Sequence, residues 1–358
     1  MEKLSKKDLL QWFQTNEKEL YKLMYNTEHG YMGIEPNPYH MEGSVLSHTK
    51  MVMDQATKFD EIEIIISALL HDIGKTNVWV DNHESKRRRF TNHEAMSVFM
   101  AKPILKKLQK EYVFDMKAVL KTIGSHGCLY NYFKDGRINP KYYTKIASMF
   151  TVRELEMLRD FYVCDHEGRI QEVPKGDIKD VIKDFNTIID IINESYDGTH
   201  LIPEKTITIM IGCPRPGKST FLEDRIYAPE NMPVIISRDK LVMEYGSGKT
   251  YSEKWKSLSD SKQKEIDKEL MKRFHDAIKL GRNISVDMTN MSKKSRRKWL
   301  SDNKVKDYYK VAQLFIEPKE VLMSRMSDDK NIPEKVIDSM MRSFVFPDYS
   351  EFDRIVVH

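Results

Sequence analysis

Apolar residues recur at three- and four-residue intervals through most of the first two hundred positions, the spacing of a single buried helix face. The pattern predicts helices over residues 44–59, 61–72, 92–107 and 153–165, and another over 177–195 with Ile182, Phe185, Ile188, Ile189 and Ile192 on one side. Polar or Gly/Pro-bearing stretches, such as 79–90 and 135–140, read as connections between them. The texture changes around residues 196–205, where the run from Asp197 to Pro203 reads as a linker. Beyond it, short apolar runs predict strands at 206–211, 233–237, 283–287, 309–316 and 354–357. Helical patterns at 260–280, 293–302 and 333–344 alternate with them, which implies a parallel sheet covered by helices. The expected architecture is α + α/β, with an all-helical domain over residues 1–200 and a parallel-sheet domain over 204–358.

Composition narrows the class. The 358 residues are 40% hydrophobic and 31% charged, the balance of an ordinary globular protein. No apolar run reaches the roughly 18 residues of a membrane span, and the start MEKLSKKDLLQWF lacks the features of a secretory signal. Cys128, Cys164 and Cys213 are widely separated and odd in number, which fits reduced thiols and a cytoplasmic setting. The net charge of +4 is uneven: residues 204–358 carry an excess of six positive charges and the remainder a deficit of two. A modestly basic second half suits a phosphate-rich partner. The oligomeric state is not legible.

Chemistry concentrates at Leu69-Leu70-His71-Asp72-Ile73-Gly74-Lys75. A His-Asp pair closing an apolar helix is costly to bury without partners, and a metal ion would satisfy both side chains. Further candidate ligands are His48, His93, His126 and Asp165, each on or beside a predicted helix, so that a bundle could aim them into one cavity. Imidazole with carboxylate suits Mn, Fe, Co, Ni, Cu or Zn. His83 and His166 read as ordinary surface. The order and spacing resemble the HD phosphohydrolase superfamily. The local elements YHMEGSVLSHT, LLHDIGK, NHEA, SH and CDHEGR are most similar to the HD domain of bacterial tRNA nucleotidyltransferases. The resemblance, over residues 39–169, implies one metal held by His48, His71, Asp72 and Asp165 and a second near His93 and His126, with Asp72 bridging. It further implies hydrolysis at phosphorus, with Lys75 and His40 as phosphate contacts or as a proton donor to the leaving oxygen.

In the second half, Ile211-Gly212-Cys213-Pro214-Arg215-Pro216-Gly217-Lys218-Ser219-Thr220 satisfies GxxxxGK[ST] between a predicted strand and a predicted helix. The loop's N–H groups would cradle the phosphates of ATP or another NTP, Lys218 would neutralise them and Ser219 would hold Mg²⁺. Pro214 and Pro216 each remove one donor. Further along come Arg238-Asp239, then Asp287-Met288-Thr289-Asn290, Arg325, and a segment from Phe346 through Glu351-Phe352-Asp353. Together these resemble phage polynucleotide kinase and its relatives over residues 206–357. The resemblance implies Asp239 as the general base for a 5′-OH, Asp287 near the metal and nucleotide, and Arg325 in a lid over ATP. Two departures stand out. The position three residues after Asp239 is Val242 where the family has a phosphate-binding arginine, leaving Arg238 or Lys240 to take that contact. A second lid arginine is missing, leaving Lys330.

An HD hydrolase joined to this kinase resembles the HD-Pnk fusions, RNA end-healing enzymes. That implies hydrolysis of 2′,3′-cyclic phosphate and 3′(2′)-phosphate ends, phosphorylation of 5′-OH ends, a partner RNA or DNA with broken ends, and a separate RNA ligase. Two rivals remain open: a nucleotide phosphohydrolase fused to a nucleoside or metabolite kinase, and a nucleotide sensor that binds without turnover.

Overall fold

A helix that is apolar on every side belongs in the middle of a bundle. Residues Ile62–Leu70 take that place in the computed structural model, where every side chain from Glu63 to Leu70 is buried. The structure describes residues 5–127, 129, 132–172, 176–194, 205–224, 232–327, 329–347 and 349–358. It divides into two compact units, Met1–Gly198 and Thr199–His358. The linker read over 197–203 lies outside the described residues, as do Cys128 and Asp348.

The first unit opens with α1 (Lys6–Asn16), α2 (Lys18–Asn26), α3 (Val45–Ala56) and the central α4 (Ile62–Leu70). A hairpin, β1 (Trp79–Asn82) and β2 (Arg87–Phe90), precedes α5 (His93–Leu108) and α6 (Met116–Ser125). A second hairpin, β3 (Phe133–Lys134) and β4 (Arg137–Ile138), leads to α7 (Tyr143–Ala147), α8 (Val152–Glu167) and α9 (Ile178–Glu194). Helices α3, α6 and α8 pack around α4. The starts follow capping chemistry: Ser44 Oγ accepts from the Ser47 N–H at 3.2 Å, and Thr151 with Glu154 closes a capping box on α8. Buried Glu63 accepts from the Asp115 N–H at 2.9 Å and so ties α4 to the start of α6.

The two hairpins correct the expectation that 79–90 and 135–140 are plain connections in an all-helical domain. Trp79 pairs with Phe90 and Asp81 with Arg88 in the first, and Phe133 with Ile138 in the second. Most of the first hairpin's side chains are exposed, so no apolar alternation marks it in the sequence. The second turns on Asp135 and Gly136, with φ of 56° and 79°, a pair suited to a tight hairpin turn.

In the second unit β5 (Thr206–Ile211) is followed by α10 (Lys218–Glu223), β6 (Val234–Ile236), α11 (Arg238–Tyr245), α12 (Tyr251–Ser257) and α13 (Asp260–Lys279). Then come β7 (Ile284–Val286), α14 (Lys293–Leu300), β8 (Tyr309–Leu314), α15 (Lys319–Ser324), α16 (Glu334–Arg342) and β9 (Arg354–Val357). The sheet runs β6-β7-β5-β8-β9, every pair parallel, and its near-continuous apolar strands reflect helices on its faces. With β5 in the middle, the loop after Ile211 opens at the centre of the sheet's carboxyl edge, where open α/β sheets bind ligands. Among the described residues, no helix is long and apolar enough to cross a membrane.

A buried ion pair closes this unit. The Arg296 guanidinium meets Glu351 at 3.1 and 2.8 Å and also donates to the carbonyls of Asn290, Met291 and Val345. It fastens the turn after β7 to the chain approaching β9. Arg296→Ala should lower the stability of this unit by about 3–5 kcal/mol in urea unfolding, because the buried ion pair and the guanidinium's bonds to three backbone carbonyls are lost together. Replacing both residues, Arg296→Met with Glu351→Leu, should recover most of that loss.

Candidate functional site

Five elements of the first unit deliver one side-chain cluster. His48 projects from α3, His71 and Asp72 follow the last turn of α4, His93 begins α5, His126 ends α6 and Asp165 lies in α8. Close approach of α5 to the turn after α4 requires Gly74: a Cβ there would lie 2.3 Å from the His93 carbonyl oxygen. The Gly74 N–H donates to Ser97 Oγ at 2.9 Å.

The Asp72 carboxylate stands between two groups of nitrogens. Its Oδ2 is 3.2 Å from His71 Nε2 and 3.6 Å from His48 Nε2, and Asp165 Oδ1 is 3.1 Å from His48 Nε2. Its Oδ1 is 3.2 Å from His93 Nε2 and 4.0 Å from His126 Nε2. The far side of each ring is anchored. Nδ1–H of His71, His93 and His126 donates to the carbonyl three residues earlier, of Ala68, Phe90 and Ile123, at 3.0, 2.9 and 2.6 Å. His48 Nδ1 meets Glu42 Oε1 at 2.9 Å and the Gly168 carbonyl at 3.2 Å.

A neutral ring that donates from Nδ1 carries its lone pair on Nε2. Yet Nε2 of His48 faces Nε2 of His71, and Nε2 of His93 faces that of His126, both at 3.3 Å. Lone pairs aimed at one another in a buried space call for a proton or a cation between them. Asp72 Oδ1 is buried without a hydrogen-bond partner. The donor sets His48–His71–Asp165 and Asp72–His93–His126, each with ligand atoms within 4.8 Å of one another, therefore fit metal ions. Mixed imidazole and carboxylate favours transition metals over Ca²⁺ or Mg²⁺.

Electrostatics follow from this crowding. Burial alone would raise Asp72 and Asp165. The charges on His71 and Lys75 outweigh it for the first, and that on Arg169 with the His48 hydrogen bond for the second, holding both well below the usual carboxylate range. Burial, followed by the charge on His93, lowers His126 to about 4. Lys75 Nζ lies 2.7 Å from Asp72 Oδ2 and 3.1 Å from His29 Nε2. The His29 and His40 rings stack at 4.2 Å, and burial with the nearby Lys75 charge lowers both well below the ordinary imidazole value.

Six candidate ligands and Lys75 are thus brought together, with His40 beside them. His29, Glu42 and Arg169 complete the cluster, although sequence reasoning did not assign them. Glu42 and Arg169 lie inside motifs quoted for the resemblance, whereas His29 sits in an irregular loop without a periodic signal. His166 is not plain surface: it is half-buried and stacked on Tyr162. His83 is exposed.

In the second unit, Arg215 and Gly217 bend the loop after β5 with φ of 65° and 104°. The Lys218 ammonium is folded back onto this loop, donating to the carbonyls of Gly212 and Cys213 at 2.8 and 2.7 Å. Burial lowers its pKa to about 8. Ser219 Oγ donates to Asp287 Oδ2 at 3.0 Å, so a hydroxyl and a carboxylate, hard oxygen donors suited to Mg²⁺, stand together beside the loop. Arg325 Nη1 donates to the Arg215 carbonyl at 3.1 Å, and Arg215 Nη2 to Ser327 Oγ at 2.7 Å. Thr220 lies in the first turn of α10.

Asp239 lies in the first turn of α11 with its side chain 54% exposed. Tyr251 Oη donates to its Oδ1 at 2.8 Å, and the Lys330 ammonium pairs with its Oδ2. Tyr251 escaped sequence reasoning, since nothing local marks a tyrosine twelve residues beyond the carboxylate it contacts. Val242 is fully buried and touches no solvent. Arg238 is engaged by Asp267 at 2.9 Å and Gln263 at 2.6 Å, and its guanidinium lies over the Trp255 ring. That leaves Lys240, which is exposed, as the freer of the two cations expected to replace the missing arginine.

Residues 45–147 match the family model described as an HD domain, and residues 207–347 match the one described as an AAA domain. Asp165 lies beyond the first match and the P-loop within the second. A search of curated proteins found no match. The chain joins an HD domain to a kinase-like P-loop domain of the AAA type.

Proposed function

We propose that this chain heals broken nucleic-acid ends, with the HD unit removing 2′,3′-cyclic and terminal phosphates and the P-loop unit phosphorylating 5′-OH ends. The observation that carries this reading is Asp239, a carboxylate in the first turn of α11 that is more than half exposed yet held in place by Tyr251 and Lys330. An exposed carboxylate so placed suits an acceptor hydroxyl that needs a proton acceptor. The HD cluster supplies the complementary chemistry. Strand breakage by transesterification leaves a 2′,3′-cyclic phosphate and a 5′-OH, and a separate ligase can act only after both are converted.

In the HD unit the cations, when bound, supply Lewis acidity toward the phosphoryl group and lower the pKa of water. The protein's own groups do the rest. His48, His71, His93 and His126 present Nε2, and Asp72 and Asp165 their carboxylate oxygens. Glu42 and the backbone carbonyls fix the tautomers. Lys75 offers a positive charge to a phosphoryl oxygen, with His40 beside it as a further contact for the phosphate.

In the P-loop unit Lys218 exchanges the two loop carbonyls for phosphate oxygens, while Ser219 and Asp287 hold Mg²⁺ with the nucleotide. Arg325, which donates to the Arg215 carbonyl of the loop, would offset charge on the transferring group. The 5′ oxygen forms a bond to the γ-phosphorus as the bond to the β–γ bridging oxygen breaks. Its proton passes to an oxygen of Asp239, which first separates from Lys330, and the NDP leaves.

A labelled RNA bearing 5′-OH and 2′,3′-cyclic phosphate ends, incubated with ATP and a series of divalent metals, tests the reading directly. Both ends should be converted, and a nucleoside phosphorylated as efficiently as the RNA would instead indicate a small-molecule kinase. Asp72→Ala should abolish phosphate removal and lower bound transition metal measured by elemental analysis, with 5′-phosphorylation kept within about twofold, a change worth well under 1 kcal/mol. Asp239→Ala should lower the kinase kcat by about 10²–10⁴ with ATP binding retained, the usual worth of a general base. A near-normal rate in that variant would remove Asp239 from the mechanism.

A further inference from the structure

The hairpin of β1 and β2 is the most basic exposed feature of the HD unit, and the mechanism above does not use it. The chain from the turn through its second strand reads Lys86-Arg87-Arg88-Arg89-Phe90. Residues opposite each other share a face, as do alternate residues along a strand. The register therefore places Trp79, Asp81, Arg88 and Phe90 on one face and Val80, Asn82, Arg87 and Arg89 on the other.

The first face anchors the hairpin. Arg88 forms a two-pronged pair with Asp81 at 2.7 and 2.8 Å, donates to the Glu28 carbonyl at 2.9 Å and lies 4.2 Å from the centre of the Trp79 ring. Phe90 packs edge-on against His29 and under the Lys75 ammonium, and its carbonyl orients the candidate ligand His93. The base of the hairpin is thus part of the metal cluster's wall. The second face is free by contrast. Arg87 and Arg89 are both exposed, and among the described residues no carboxylate pairs with either. Trp79, opposite Phe90 at the base, is left 46% exposed.

Like charges two residues apart on one face repel, and a partner with regularly spaced negative charge relieves that repulsion. Alternate residues of a strand are about 6.8 Å apart, close to the spacing of successive phosphates along an extended single strand. The track Arg89–Arg87 leads outward from the hairpin's base.

We propose that this hairpin grips the single-stranded polynucleotide leading into the HD centre, with Arg89 and Arg87 on successive phosphates. The inference rests on the end-healing reading and adds to it a site that selects strands over mononucleotides.

The test is fluorescence anisotropy of the full chain with labelled 12-nucleotide RNA and DNA of one sequence, across a salt series, in the presence of the activating metal. Arg87→Ala with Arg89→Ala should weaken binding about 10- to 30-fold in 0.1 M salt. It should also reduce the slope of log K against log salt by about 1.4, the value for two lost phosphate contacts on a single strand. Arg87→Lys with Arg89→Lys should restore the slope. In turnover, the double alanine variant should lose at least tenfold more kcat/KM on an oligonucleotide 2′,3′-cyclic phosphate than on a cyclic mononucleotide. An unchanged salt slope, or equal losses on both substrates, overturns the hairpin's role while leaving end healing intact. A wild-type chain that hydrolyses mononucleotides but binds neither oligonucleotide overturns both. RNA bound more tightly than DNA identifies the 2′-hydroxyl as part of recognition, and equal affinity leaves the phosphate track as the whole of it.

Discussion

Three histidine rings in the first unit spend their Nδ1–H on backbone carbonyls, and a fourth turns its Nδ1 to Glu42, so four Nε2 atoms converge on one buried carboxylate. Everything around Asp72 serves that convergence. Nitrogens 3.3 Å apart in a dry space are stable only with positive charge among them, as bound metal or as protons. The helices must therefore be rigid enough to hold them there. The all-round burial of α4 provides the rigidity, and the placement of His71, His93 and His126 at helix ends provides the carbonyls three residues back that fix each ring.

The second unit meets a similar constraint with the opposite sign. A P-loop lysine must be buried to act strongly on phosphate, and a buried ammonium must have acceptors. Lys218 finds them in the carbonyls of its own loop, which the positive φ of Arg215 and Gly217 helps to present. Asp239 faces the converse problem. It is exposed, so water would satisfy it, yet Tyr251 and Lys330 both hold it. Those contacts set the orientation of the carboxylate without burying it. Lys330, where the family resemblance leads one to look for an arginine, is instead paired with Asp239.

Much of this was legible in the sequence, for reasons that differ by level. Strands β5 and β9 follow their apolar runs residue for residue, because a buried parallel strand has little else to be. The HD dyad and the P-loop announce themselves since both chemistries need fixed residue types at short spacing. His29 and Tyr251 were invisible because they reach their partners through space: Lys75 lies 46 residues beyond the first, and Asp239 lies on a different helix from the second. The hairpin of β1 and β2 was read as a connection since its strands bury so little that periodicity carries no information. Arg238 looked free in the sequence, and only the packing of α11 on α13 reveals that Asp267 and Gln263 occupy it.

The hairpin shows how a feature without a periodic signal can still be tied to the chemistry. A strand ending at Phe90 leaves that residue's carbonyl at the hairpin's base, three positions before His93, the same offset by which Ala68 and Ile123 hold His71 and His126. For those two rings the carbonyl belongs to a helix, whose geometry is set by its own hydrogen bonds. For His93 it belongs to a two-stranded ribbon, a structure only marginally stable by itself. The ribbon's conformation is therefore held by its side-chain anchors, above all Arg88 on Asp81 and on the Glu28 carbonyl. Of the three rings held by a carbonyl three residues back, His93 is thus the one whose carbonyl lies outside a helix, and a load on the ribbon reaches it through that contact.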